Sequence, residues 1–113
     1  MSETRIRVQL QEGHNDLHSV TNRGPTITYL QVAMALRTLY ENSVDLFPRK
    51  SDQGSYRRAV DRLCDKMKQA RDTKFEPSTG LNQFREEFTA TREGKTRRHR
   101  VDVEITGPLR RGS

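Results

Sequence analysis

The sequence predicts an α+β protein, with two main α-helices packed on a small antiparallel sheet made of an N-terminal strand and a C-terminal β-hairpin. Three observations carry this reading. Ile6, Val8 and Leu10 alternate with Arg5, Arg7 and Gln9, the period of a strand with one buried face. Apolar residues between Thr28 and Ala70 recur at steps of three and four, the period of a helix. Val101, Val103 and Ile105 alternate with Arg100, Asp102 and Glu104 behind a turn signal at Glu93, Gly94 and Lys95, as in the second arm of a hairpin.

The stretch from Thr28 to Phe47 is the apolar centre of the chain. Tyr29, Val32, Ala33, Leu36, Leu39, Tyr40, Val44 and Phe47 fall on helical spacing. Leu30, Met34 and Ala35 fill the remaining sides, which predicts burial on more than one face. Thr28 suits an N-cap, Gln31 stands three residues on, and Ile27 and Val32 occupy the positions of a hydrophobic staple. Pro48 ends the helix. Beyond a turn-rich segment, a second helix is expected from a cap at Ser51, Asp52 or Ser55 to about Asp72. Tyr56, Val60, Leu63, Met67 and Ala70 form its narrow apolar seam, and Arg57 and Asp61 are spaced to pair along it.

Gln11 to Gly24 is polar and turn-rich and reads as a connection, with one helical turn at most around Leu17 and Val20. Leu81 to Glu87 fits a strand or a short helix equally. One domain spans residues 1–106, and 107–113 form a frayed basic tail. Leu, Ile, Val and Phe total only 23 of 113 residues, so the core is small. A sparse core beneath a helix with several apolar faces predicts a homodimer formed through Thr28 to Phe47.

Net charge is +6, and its distribution is uneven. Residues 1–91 carry 14 basic and 12 acidic side chains, whereas 92–113 carry 7 and 3. Arg92, Lys95, Arg97, Arg98 and Arg100 place five cations in nine residues around the expected hairpin tip. Such crowding costs self-repulsion that an external polyanion relieves, and arginine suits forked contacts to phosphate. A second basic set, Arg49, Lys50, Arg57, Arg58, Arg62 and Lys66, surrounds the start of the second helix, where backbone N–H groups also favour phosphate. The expected partner is double-stranded nucleic acid, DNA or RNA, in a regulatory or accessory role. The alternative is a homo-oligomeric interaction or assembly module whose charge serves solubility.

The order strand, helix, helix, strand, strand resembles the later part of a winged helix, with Thr28 to Asn42 and Ser55 to Asp72 as its helices and Arg92 to Arg100 as its wing. The likeness is one of topology, without a diagnostic motif. Other constellations carry less. His14 and His18 flank Asp16 but no third metal ligand is evident, Cys64 lies near the apolar seam far from any histidine, and the Gly94-Lys95-Thr96 triplet lacks the earlier glycine of a phosphate loop. The chain is therefore expected to have no enzymatic activity, cofactor or metal. A lone cysteine, no bilayer-length apolar run and the polar start MSETRIR predict a protein of the reducing cell interior, cytoplasmic or nuclear.

Overall fold

The computed structural model describes residues 4–24, 27–73 and 81–107. Two hairpins enclose two helices in the chain. Strands β1 (Thr4–Glu12) and β2 (Asn15–Gly24) come first, followed by α1 (Tyr29–Ser43), a 3-10 turn at Val44–Leu46, and α2 (Lys50–Thr73). Strands β3 (Leu81–Arg92) and β4 (Lys95–Thr106) complete the fold. All strand pairs are antiparallel in the order β2-β1-β4-β3, so the first and last strands meet at the centre. The α+β expectation holds, with four strands in the sheet rather than three.

The additional strand is β2, in the stretch expected to be a connection. Gly13, at φ +59°, takes the first central position of a two-residue turn, which lets Asn15 onward fold back on β1. Its alternation is hard to see because β2 is an edge strand: only Leu17 and Val20 pack on the core, both half-buried. Leu81–Arg92, open to either period, is a strand, with Phe88 buried and Phe84 packed against the core.

Ile6, Val8 and Leu10 of β1 register with Ile105, Val103 and Val101 of β4, and all six are fully buried against the helices. Helix α1 starts with the expected capping box: Thr28 N–H donates to Gln31 Oε1 at 2.7 Å, and Thr28 Oγ1 accepts from Gln31 N–H. It buries Val32, Ala35, Leu36, Leu39 and Ser43, whereas Leu30 and Met34 remain 55% and 59% exposed. Burial on more than one face is therefore not achieved within one chain. Helix α2 begins at Lys50, slightly before the expected cap, and its seam of Tyr56, Val60, Leu63 and Met67 is buried. Ala70, the last expected member of that seam, lies outside the residues whose side chains are described.

Tyr56 stacks on Phe88, at 5.1 Å between ring centroids, and meets the edge of Phe47. Its hydroxyl shares a hydrogen bond with Ser43 Oγ at 2.6 Å, so no buried hydroxyl is orphaned there. Burial pushes the Tyr56 phenol well above its ordinary range.

The arrangement departs from a winged helix. Among the described residues no helix precedes α1, and the proposed wing is half of the central sheet rather than an appendage to a helical core. Apart from Gly107, the expected tail lies outside the described residues. No helix among the described residues is long and apolar enough to cross a membrane.

Glu93 and Gly94 join β3 to β4 with φ of +54° and +76°, the two left-handed residues of a type I′ turn. Glutamate is strained at the first of these positions, where asparagine is favoured. Replacing Glu93 with asparagine is expected to stabilise the protein by roughly 0.5 to 1 kcal/mol, read as a higher midpoint in thermal unfolding.

Candidate nucleic-acid interface

β3 runs along α2, and side chains of the helix satisfy the strand's open edge. Lys66 Nζ donates to the Arg85 carbonyl at 3.0 Å, and Arg62 Nη2 donates to the Glu87 carbonyl at 3.2 Å. At the far end the Thr91 N–H donates to Asp52 Oδ2 at 3.0 Å. That last bond brings the hairpin tip to the first turn of α2, so the two basic sets expected from sequence converge on one end of the molecule. Arg49 and Lys50 stand beside Asp52, and Lys95 lies across the turn from Arg92; Arg49, Lys50 and Lys95 are exposed and have no ion pair among the described residues.

The other tip arginines differ among themselves. Arg92 is only 20% exposed and grips Glu12 with a fork, Nε to Oε2 at 2.9 Å and Nη2 to Oε1 at 3.0 Å. Arg97 reaches the same carboxylate at 3.4 Å. Arg98, on the opposite face, is 77% exposed and makes one 3.4 Å contact with Glu87. Arg100 is held by Gln11 Oε1 and, at 3.2 Å, by Asp102. Hence Arg92 is a structural residue, Arg97 and Arg100 are partly engaged, Lys95 has no ion pair among the described residues, and Arg98 is mostly exposed despite its contact with Glu87.

The α2 set also divides. Arg62 and Lys66 occupy the two oxygens of Glu86, and these cations, Lys66 foremost, hold the Glu86 carboxyl below the usual range. Arg58 donates to Ser55 Oγ at 3.2 Å. Arg57 borders the groove between the helices, with Arg37, Glu41 and Asp61. Of the six cations expected around the start of α2, only Arg49 and Lys50 join the tip directly.

Glu12 is the hub of the hairpin base. It is 5% exposed at the end of β1, and His99, opposite it on β4 and fully buried, approaches Oε2 through Nε2 at 2.9 Å. The other ring nitrogen of His99 lies 3.0 Å from the Arg97 carbonyl. Both nitrogens face oxygen acceptors, so only a doubly protonated ring donates to both. Phe88 stacks on the ring and Phe47 meets it edge-on. Arg92, with help from His99, holds the Glu12 carboxyl down at about 2 despite burial, which acts the other way.

Sequence reasoning missed a third basic group, on the sheet face turned away from the helices. Arg5 lies directly opposite Arg23, and Arg7, two residues on, opposite Thr21. Like charges facing each other across strands repel. The alternation of β1 already showed arginine on this face, but Arg23 was assigned to a connection. Elsewhere the face is more balanced: Asp102, 2% exposed, sits among Arg85, Arg100 and Gln9. No group of three or more potential metal ligands occurs among the described residues; His14 lies at a turn and His18 on β2, so they do not share a helix face. Burial raises the Cys64 thiol above its ordinary value.

Comparison of the chain with family models, curated proteins and solved structures finds no match.

The Glu12 hub makes stability depend on acid. The folded carboxyl titrates near 2 and the free one near 4.5, so its contribution is complete above about pH 5 and is lost as pH falls towards 2. Glu12→Gln is expected to cost about 3 kcal/mol at pH 7 and to flatten this acid limb in urea unfolding, with Glu86 supplying the remaining slope.

Proposed function

We propose that this protein binds double-stranded nucleic acid, DNA or RNA, through the β3-β4 tip and the start of α2, without catalysing a reaction. The supporting observation is the Asp52 to Thr91 hydrogen bond, which gathers exposed Arg49, Lys50 and Lys95 at one end. Arg98 adds a mostly exposed guanidinium on the hairpin. Exposed cations on a braced mount, of which Arg49, Lys50 and Lys95 have no ion pair among the described residues, suit phosphate contacts. Cys64, a free thiol within a helix, accords with a reducing compartment, cytoplasm or nucleus.

Binding of this kind releases counterions and weakens with salt. Changing Arg49, Lys50, Lys95 and Arg98 together to alanine is expected to flatten the log–log salt dependence of duplex affinity by roughly 3 to 4 units of slope. Changing Arg5, Arg7 and Arg23 instead should leave most of that slope. Fluorescence anisotropy at several salt concentrations measures both. An unchanged slope in the fourfold variant would remove the tip as the contact, and loss confined to the second variant would move the site to the sheet face.

A further inference from the structure

The groove between α1 and α2 is the apolar part of the surface that the single chain leaves uncovered. Leu30 and Met34 line it with Ala33, Val60 and Cys64. They are the most exposed large apolar side chains among the described residues. Burying them stabilises an assembly by the ordinary hydrophobic effect, at about 25 cal/mol per Å² removed from water.

The charges along the same groove indicate what covers it. The helices are antiparallel: Tyr29 Oη donates to the Cys64 carbonyl at 2.8 Å, and Tyr40 Oη to the Gln53 carbonyl at 3.4 Å. Along the groove Leu30, Met34 and Cys64 border the apolar end, Arg37 and Asp61 border both that end and the polar end, and Glu41 and Arg57 border the polar end alone. All four line the groove, and none makes an ion pair among the described residues. Arg57 and Asp61 are four residues apart on one helix, yet they do not pair. Each wall therefore carries one cation and one anion, in the order that complements the other wall.

From this pattern we infer that a second copy of the chain covers the groove, related by a two-fold axis parallel to the helices. That rotation lays α1 of each protomer over α2 of its partner while preserving level along the groove. Arg37 then meets the partner's Asp61 and Glu41 meets the partner's Arg57, and the symmetry repeats both contacts to give four ion pairs. Met34 and the partner's Cys64 border the same apolar end of the groove, which the two copies close together. Charge reciprocity follows by symmetry for a second copy, whereas an unrelated partner would have to supply a matching pattern.

The same axis has a consequence for the proposed nucleic-acid site, and this part rests on that reading. β3 lies antiparallel to α2, with Arg85 beside Lys66 and Thr91 beside Asp52. An axis parallel to the helices therefore leaves both hairpin tips at the same end of the dimer. The two tips engage one duplex together, and the second contact benefits from the proximity set by the first.

Sedimentation equilibrium without nucleic acid, in dilute buffer near neutral pH, tests the dimer. The unaltered chain is expected to dimerise. Arg37→Glu and Asp61→Arg are each expected to raise the dimer dissociation constant roughly tenfold or more, and their combination to restore it. Met34→Glu, at an exposed position, should give a monomer with unchanged thermal unfolding. A monomeric unaltered chain, single variants that dimerise normally, or a double variant no better than the singles would each overturn the proposal. A dimer that follows the charge swap but retards no duplex would sink the nucleic-acid reading alone.

Discussion

A buried carboxylate at the end of β1 sets what the rest of this surface is able to do. Glu12 sits where the first strand stops and the long hairpin continues, and it draws in Arg92, Arg97 and His99. Removing a charge from water is costly, and here forked and paired hydrogen bonds offset the cost. The residues beyond the His99 pairing extend past β1, so Glu12 fastens the base of the hairpin while its tip projects. Of the five tip cations, Arg92 and in part Arg97 are engaged in that base, and Arg100 is held by Gln11 and Asp102. The crowding of positive charge read in sequence is thus partly an internal structural device, and Lys95 and Arg98 form the outward remainder.

The second brace is the edge of β3. An open strand edge is a template for unwanted pairing, and α2 covers it with Lys66, Arg62 and Asp52 at three points. The helix thereby orients the hairpin, and its own first turn arrives beside the tip. Among the described residues, β2, at the opposite edge, makes no ion pair with a helix side chain. It instead presents polar residues alternating outward, including Arg23 opposite Arg5.

The two helices, β1, β4 and the turn-proximal end of β3 were legible in the sequence because their periods are clean, whereas Leu81 to Glu87 suited either period. Thr28 and Gln31 marked the α1 start to the residue, and the Glu93-Gly94 turn was evident from composition. β2 was not legible, since an edge strand buries little and Asn, Asp and Gly within it imitate a loop. The two basic clusters were read from the sequence, but neither the approach of Arg49 and Lys50 to the tip nor the role of Arg92 was. Its partner, Glu12, lies 80 residues away in the chain, and no local pattern announces an ion pair of that separation. Leu30 and Met34 were read as buried, and their exposure in the single chain is what directs attention to the groove.

The arginines and lysines of one end divide into those held by carboxylates within the fold and those exposed to solvent, which we propose meet a polyanion. Titration of isotope-labelled protein with a short duplex, followed by NMR of backbone amides and arginine Nε–H groups, tests that division directly. Shifts are expected at Arg49, Lys50, Lys95 and Arg98, with the Arg92 Nε–H signal still reporting its bond to Glu12. Shifts centred on Arg5 and Arg23, release of Arg92 from Glu12, or no change at low salt would contradict it.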